Sequence, residues 1–263
     1  MDSRIGVSVE AGVAEVRLHR PDKMNALDVP MFHALAAAAQ ALGMRADVRC
    51  VVLSGEGRGF CAGIDLAALA NSPELKNLMP RTHGEANLFQ SIAWGWRCLP
   101  VPVIAAVQGV AFGAGCQLML GADIRIASPA ADISLMEMRW GMVPDVAGFA
   151  LLRGLVRDDV ARDIVFTGRR IPGTEAAELG LVTRLAEDPR AAALEAARAI
   201  ASSSPDAIRA AKRMLNLPPS TSNADILLAE SVEQTALLAS ANHREALAAH
   251  AEKRSAQFRD IEL

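Results

Sequence analysis

The chain has 263 residues, of which 51% are hydrophobic and 4% aromatic, and its formal net charge is −3. That length is enough to bury a hydrophobic core without disulfides or a structural metal. The slightly negative charge and the absence of tyrosine argue against a nucleic-acid partner, which needs a basic surface or aromatic side chains that stack on bases.

The cysteine pattern and the N-terminus bear on the compartment. No C-x-x-C pair occurs among the four widely spaced cysteines, Cys50, Cys61, Cys98 and Cys116. This pattern is typical of free thiols in a reducing compartment. The first residues do not form a basic region followed by an apolar one, so we expect no secretory signal peptide. The uncharged stretch 98–122 is long enough to span a membrane, but its prolines and glycines favour a buried strand, turn and helix. We therefore expect a cytoplasmic protein with no membrane partner.

Strand and helix patterns alternate in the N-terminal part. Period-two patterning predicts a strand at Val13–Leu18, and Asp28 is expected to cap a helix that runs to Gly43. Apolar runs at 48–54 and 101–107 predict strands buried on both faces, and 123–127 predicts another strand. Such alternation favours an α/β fold with parallel strand pairing.

The last third of the chain is predicted to be helical. Four cap-like sequences lie at residues 188–189, 204–205, 222–225 and 242–245, the last with Asn242 as its cap. We divide the chain into an α/β core, residues 1–200, and a helical C-terminal region, residues 201–263. Because no linker separates them, we expect the helical region to pack on the core or on a neighbouring subunit.

Two strand-to-helix turns form the first part of a candidate site. In the turn after strand 48–54, Gly63 lets the backbone approach a ligand, and the N–H of Ile64 points outward beside Asp65. The next buried strand is followed in the same way by a helix with the N–H of Ala114 at its start. Two converging N–H groups can stabilise negative charge on a carbonyl oxygen. The alternatives are an ordinary turn with Asp65 as a helix cap, and a close helix–sheet contact.

Two carboxylates, Glu137 and Asp145, lie on a connecting segment further along the chain. Carboxylates beside an oxyanion site can move protons to and from a substrate. No phosphate loop, dinucleotide fingerprint, zinc-binding H-E-x-x-H or G-x-S-x-G elbow occurs in the sequence. We therefore expect no metal site.

Several stretches together resemble the enoyl-CoA hydratase/isomerase (crotonase) family in order and spacing. They are HRPDKMNAL at 19–27, FCAGIDL at 60–66, GAGCQ at 113–117, and FTGR at 166–169 followed by AAELGLV at 176–182. The resemblance extends from residue 5 to about residue 258. It implies a spiral of ββα units with a helical region that builds a homotrimer or a dimer of trimers. It also implies an acyl-CoA thioester substrate and no cofactor beyond the coenzyme A moiety.

The resemblance also implies site residues. In the family the thioester oxygen lies between two backbone N–H groups, and the matching positions are Ile64 and Ala114. Ala114 replaces the usual glycine, and alanine would be strained if this position had a positive φ. The implied coenzyme A contacts are Lys23, Met24, Ala26, Ala62 and Asp65, together with Lys253, which matches a lysine that reaches a phosphate. The alternative for Lys253 is a solvated surface charge.

The acid/base residues depart from the hydratase pattern. Family hydratases use glutamates at the positions of Gln117 and Glu137, and Gln117 has no titratable carboxylate. Asp145 resembles the second acid of dienoyl-CoA isomerases, although that branch also has an aspartate at the position of Gln117. Simple 3,2-enoyl-CoA isomerases use only the glutamate at the position of Glu137. We therefore predict an enoyl- or dienoyl-CoA isomerase with Glu137 as the main acid/base and Asp145 as its partner.

Two alternative functions stay open at this point. One is an enoyl-CoA hydratase in which Gln117 positions the water, and another is an acyl-CoA-binding protein with little catalysis. The carboxylates have structural interpretations, with Asp145 as a helix cap and Glu137 as a surface group. The acyl pocket is expected within residues 67–97, and the side chains in question are either pocket liners or core residues: Met79, Phe89, Trp94 and Trp96.

Overall fold

The computed structural model describes residues 4–69 and 72–261. The strands are β1 (Ile5–Glu10), β2 (Val13–Leu18), β3 (Cys50–Gly55), β4 (Val103–Val107), β5 (Val110–Phe112), β6 (Ile124–Ala127), β7 (Asp132–Ser134), β8 (Ile171–Pro172) and β9 (Arg184–Leu185). The helices are α1 (Val29–Gly43), α2 (Leu66–Leu69), α3 (Leu88–Cys98), α4 (Ala114–Leu120), α5 (Gly148–Leu152), α6 (Asp158–Thr167), α7 (Gly173–Glu178), α8 (Pro189–Ala201), α9 (Pro205–Leu215), α10 (Asn223–Ala239) and α11 (Ala241–Glu252).

The main sheet has the strand order β1-β2-β3-β4-β6-β9, and every pair except β1–β2 is parallel. Every residue of β3 and β4 is buried. Alternate residues enter two separate hydrophobic clusters: Val51 and Leu53 join the larger one, whereas Cys50 and Val52 join the other. The two apolar runs therefore form strands covered on both faces, as predicted. A smaller sheet, β5-β7-β8, follows the carboxyl end of β4.

The uncharged stretch 98–122 includes β4, β5 and α4, which confirms the predicted strand, turn and helix. All seven residues of α4 are buried, so this stretch is core. No helix in the described ranges is long and apolar enough to cross a membrane.

Local capping signals locate most of the helix starts. The side chains of Asp28, Asp188, Ser204 and Ser222 each accept a hydrogen bond from a backbone N–H in the first turn of their helix. The prediction of Asn242 as a cap is wrong, because α11 begins at Ala241 and Ser240 is its cap. The buried Asn242 amide instead donates to Asp206 and to the carbonyl of Arg259, at 2.9 and 3.0 Å.

The helical C-terminal region is present, and its first helix is fixed to the core. In α9, the buried Lys212 Nζ lies 2.7 Å from Asp123 Oδ2 and 2.8 Å from the carbonyl oxygen of Val101. By contrast, α10 has no buried residue, and its exposed apolar side chains include Leu227, Leu228 and Val232. The first helix of this region therefore packs on the core, whereas α10 presents an apolar surface.

Candidate active site

The two predicted strand-to-helix turns lie side by side. β3 and β4 are parallel neighbours. The segments that follow the two strands also run side by side. The Cys61 N–H donates to the Val110 carbonyl at 3.0 Å, and the Phe112 N–H donates back to the Cys61 carbonyl at 3.0 Å. This pairing brings the turn that contains Gly63 against the start of α4.

Gly63 is one of the points at which the two turns approach each other closely. Its φ is +90°, and a Cβ built there would lie 2.6 Å from the Phe112 carbonyl oxygen and 3.7 Å from the Ala114 nitrogen. Only glycine accepts both the conformation and the contact. The residue after Gly63 is Ile64, so this contact fixes the separation between the Ile64 and Ala114 amides.

Both amides are free to donate to a ligand. The other edge of the turn is occupied by Leu27, which donates to the Gly63 carbonyl at 2.8 Å and accepts from the Asp65 N–H at 2.9 Å. Ala114 is the first residue of α4, a position whose N–H has no partner within the helix. Among the described residues, the N–H groups of Ile64 and Ala114 donate to no protein acceptor. Ala114 does not have a positive φ, so replacing glycine by alanine causes no strain there.

Glu137 lines the same cavity as these two amides. The cavity has a volume of about 120 Å³, and its other walls are mainly apolar: Ala62, Gly63, Leu66, Gly113, Met136, Trp140 and Met142. Glu137 is only 7% exposed, which is inconsistent with a surface carboxylate. Its Oε1 accepts from Gln117 Nε2 at 2.6 Å, whereas its buried Oε2 has no partner among the described residues.

The surroundings of Glu137 hold its proton more tightly than water would. Burial raises the pKa of Glu137, and the charge of Asp145 raises it further, against the lowering effect of the hydrogen bond from Gln117. Two free N–H groups and a buried carboxyl beside one cavity can stabilise an oxyanion and transfer a proton next to it.

Gln117 is fully buried on α4 and is bound by protein groups. Its Oε1 accepts from the N–H groups of Val146 and Gly148, at 2.7 and 3.0 Å, and its Nε2 donates to Glu137. It is not among the residues that line the cavity. The side chain therefore contacts the acid/base candidate rather than the space that a substrate would occupy.

Asp145 lies on the segment held by Gln117, one residue before Val146. The aspartate is half-buried, and burial raises the pKa of its carboxyl. It is not the cap of the next helix, because α5 begins at Gly148 after Ala147. Its charge reaches Glu137 electrostatically, although it does not line the cavity as the structure stands.

The structure gathers five of the six residues predicted to contact coenzyme A. Lys23 is exposed at the end of a short 3-10 turn, followed by Met24 and Ala26. The Ala62 N–H donates to the Met24 carbonyl at 2.9 Å, which holds this loop beside the turn of Asp65. Lys253 is exposed at the end of α11, and no contact of the described residues links it to the loop.

Asp65 has a structural environment that its sequence position only partly indicated. Its Oδ2 lies 2.9 Å from Arg20 Nη2, and its Oδ1 accepts from the Ala68 N–H at 3.2 Å. The Arg20 guanidinium lowers the pKa of Asp65. The bond from Ala68 is the one that the helix-cap interpretation expects, and the pairing with Arg20 is additional.

Among residues 4–69 and 72–261, no group of three or more His, Cys, Asp and Glu side chains is placed to hold a metal ion.

Sequence reasoning did not identify Asn25, which fixes the same loop. Asn25 is fully buried with φ +58°, and its Nδ2 donates to the carbonyls of Glu56 and Gly59, at 3.0 and 2.9 Å. Its Oδ1 accepts from the Arg20 N–H at 2.9 Å. Asparagine tolerates the left-handed conformation better than most residues, and that tolerance was the available signal.

The predicted acyl-pocket residues do not line the cavity beside Glu137. Phe89 and Trp96 are buried in the main hydrophobic cluster, so they are core residues rather than pocket liners. Met79 is 77% exposed, and Trp94 is half-buried against the same cluster. Trp140 and Met142, on the segment after Glu137, occupy the wall instead.

Comparison with known proteins gives consistent matches over most of the chain. A model of the family described as enoyl-CoA hydratase/isomerase matches residues 8–261. The 1,2-epoxyphenylacetyl-CoA isomerase of Escherichia coli K12 is 32% identical over 257 residues, covering 95% of this chain and 96% of that protein. The enoyl-CoA hydratase EchA19 of Mycobacterium tuberculosis is 33% identical over 202 residues, covering 76% of this chain and 75% of that protein.

A solved structure matches equally well. The crystal structure of an enoyl-CoA hydratase from Bacillus anthracis superposes with a TM-score of 0.88 at 30% identity, covering 97% of this chain and 98% of that one. These matches confirm the family and the crotonase-like fold that the sequence motifs predict. The chain therefore belongs to the enoyl-CoA hydratase/isomerase family.

Proposed function

We propose that this protein is an enoyl- or dienoyl-CoA isomerase that moves a double bond through a thioester enolate. The observation that carries the proposal is the composition of one cavity. The free N–H groups of Ile64 and Ala114 line it together with Glu137, whose Oε2 has no protein partner. An oxyanion donor of this kind is typically worth roughly 10²–10³ in rate.

In the proposed reaction Glu137 removes a proton from C2 of the acyl-CoA. The electrons of the broken C–H bond move onto the thioester oxygen, where the Ile64 and Ala114 amides stabilise the negative charge. Glu137 then returns the proton to C4 of a 3-enoyl thioester, so that the double bond moves to C2. The raised pKa of Glu137 suits both steps, because a carboxyl that titrates nearer neutral pH can accept and release a proton.

For a 3,5-dienoyl thioester the proton is needed at C6, farther from the thioester. We assign Asp145 to that end of the conjugated system. Its charge reaches Glu137, and burial raises the pKa of its carboxyl, as an acid that delivers a proton requires. This assignment requires the segment around Asp145 to reach the acyl chain when substrate binds.

Coenzyme A binding is proposed for the loop beside Ala62, with Lys23, Met24 and Ala26 along its edge, and for Lys253 from the last helix. No cofactor beyond the coenzyme A moiety is needed, because the chemistry is proton transfer. Assembly into a homotrimer or a dimer of trimers is supported by the apolar, unburied face of α10. A cytoplasmic location stays a prediction from the pattern of free cysteines.

Water addition to a trans-2-enoyl-CoA is the second candidate, because two of the similar proteins are named enoyl-CoA hydratases. In this alternative Glu137 acts without a second carboxylate. The bonding of Gln117 argues against it, since the Gln117 amide contacts Glu137 and two backbone N–H groups. If Gln117→Glu gains water addition, the missing carboxylate explains the difference. A third candidate is an acyl-CoA-binding protein with little turnover.

The test is turnover of three substrates: a trans-3-enoyl-CoA, a 3,5-dienoyl-CoA and a trans-2-enoyl-CoA. Isomerisation produces the absorbance of a thioester conjugated with its double bond from either of the first two. Loss of that absorbance from the third, with a mass gain of one water, supports the hydratase. Binding of all three without turnover supports the non-catalytic alternative. Glu137→Gln is the control, and unchanged turnover in that variant would exclude both enzymatic mechanisms.

A further inference from the structure

The Gln117 amide has its orientation fixed by the backbone around it. Both lone pairs of Oε1 are used by the N–H groups of Val146 and Gly148. Gly148 permits this approach, because a Cβ at that position would lie 2.7 Å from Gln117 Oε1. Rotating the amide by 180° would place its NH₂ group against two N–H donors. The Nε2 donor is therefore held toward Glu137.

This fixed donor makes the two oxygens of Glu137 different. Oε1 accepts from Gln117 Nε2 at 2.6 Å and is also enclosed by Gly113, where a Cβ would lie 3.2 Å from it. The Gln117 N–H group donates hydrogen bonds and cannot accept one. If Glu137 Oε1 were protonated on the side that faces Gln117, the hydrogen bond between the two side chains would therefore be lost. Oε2 has no such partner.

We infer that Gln117 is a positioning residue that confines proton exchange to Oε2 of Glu137. With a 3-enoyl thioester, the same oxygen then takes the proton from C2 and returns it to C4, without rotation of the carboxyl group. The proton leaves carbon as Oε2–H forms, and it leaves Oε2 as the new C–H bond forms. This inference rests on the proposed function, in which Glu137 is the acid/base.

The first test variant is Gln117→Glu. The new carboxyl keeps an acceptor for Val146 and Gly148, but its other oxygen meets Glu137 Oε1 at a position 2.6 Å away. Two carboxyls at that distance share one proton, and losing it leaves two repelling charges. With a trans-3-enoyl-CoA, a substrate that does not need Asp145, we expect kcat/KM of this variant to fall more steeply at alkaline pH than that of the wild type. An alkaline limb identical to wild type overturns the inference.

The second variant is Gln117→Met, which removes the donor but keeps a long side chain. Without the Gln117 hydrogen bond the Glu137 carboxylate is less stable, so kcat/KM at the acid end of the profile should fall about tenfold. The matched control is Gln108→Met, which also removes a glutamine amide hydrogen bond, here the partly buried one from Gln108 Nε2 to the Gly55 carbonyl at 2.5 Å. We expect its pH profile to match the wild type.

A readout that needs no turnover separates this inference from the proposed function. Difference infrared spectroscopy, wild type minus Glu137→Gln, follows the carboxyl band of Glu137 as pH changes. We expect that band to titrate at higher pH in Gln117→Met and at an unchanged pH in Gln108→Met. If the shift occurs but no isomerisation is found, the positioning role stands and the proposed reaction is wrong. If isomerisation occurs and the titration does not move, the positioning role is overturned. Should Gln117→Met fail to fold, the alkaline limb of Gln117→Glu decides.

Discussion

The substitution Gly63→Ala tests whether the spacing of the two amides matters. The added Cβ would lie 2.6 Å from the Phe112 carbonyl oxygen, whereas ordinary contact begins at 3.4 Å. The turn must therefore move away from Phe112 by about 0.8 Å. Because Ile64 follows directly, its N–H moves relative to that of Ala114, and one of the two donors loses its alignment with the thioester oxygen.

The expected loss in kcat/KM is about 100-fold or more. Removing one oxyanion donor typically costs roughly 10²–10³, and a misplacement of about 1 Å at a reacting centre costs a similar factor. The positive φ of +90° at Gly63 adds a stability cost of about 1–2 kcal/mol for any residue with a Cβ. The rate effect must therefore be separated from the stability effect.

Gly154→Ala provides the control. Gly154 has φ +74°, and a Cβ there would have no atom within 4 Å, so it carries the conformational strain without the contact. Both variants are expected to melt at a lower temperature than wild type, with the larger decrease in Gly63→Ala because it adds the contact with Phe112 to the conformational strain. Only Gly63→Ala should lose turnover, measured as the initial rate of formation of the conjugated thioester. Equal kcat/KM in the two variants would refute the role assigned to this contact.

Three further predictions concern the acid/base residue, the coenzyme A loop and the docked helix. Glu137→Gln should lower kcat/KM by roughly 10²–10⁴, the usual contribution of a general acid or base. The same variant should melt at a higher temperature than wild type at pH 8 and at a similar one at pH 4. Because burial raises the pKa of folded Glu137 above its unfolded value, the stability it contributes at acid pH is lost as pH rises through the folded pKa. Asn25→Ala should raise KM for acyl-CoA more than it lowers kcat, since Asn25 holds the loop beside Ala62 through three hydrogen bonds; an unchanged KM in initial-rate measurements would contradict this. Lys212→Met should cost about 3 kcal/mol in urea unfolding, because it leaves Asp123 without its buried partner, and a loss below 1 kcal/mol would contradict that account.

The parts of the fold that sequence predicts are those determined by neighbours along the chain. The apolar runs in β3 and β4 become strands covered on both faces because no charged residue lies within either strand. Asp28 and Asp188 cap their helices through a backbone N–H three residues away. Asn242 has the same local signal, but its side chain bonds to Asp206 and Arg259, 36 and 17 residues distant. Nothing local indicates that competition.

In the candidate site, too, some features can be predicted from the sequence and others cannot. Ile64 and Ala114 could be placed from the sequence because the role proposed for them uses backbone N–H groups, whose positions follow from the turn that contains Gly63. The bonding of Gln117 could not be predicted, since its partners Val146 and Gly148 lie 29 and 31 residues away. Residue type alone suggested that Gln117 orients a water. The structure shows an amide whose three hydrogen bonds are all to protein groups.

The most direct measurement of the central claim is a crystal structure with a bound 3-ketoacyl-CoA, whose enolate resembles the proposed intermediate. We expect the thioester oxygen to lie about 2.7–3.1 Å from both the Ile64 and Ala114 nitrogens. We also expect Glu137 Oε2, rather than Oε1, to be the oxygen nearest C2, with the Gln117 contact unbroken. A thioester oxygen bound elsewhere, or a Glu137 carboxyl turned away from the acyl chain, would contradict it.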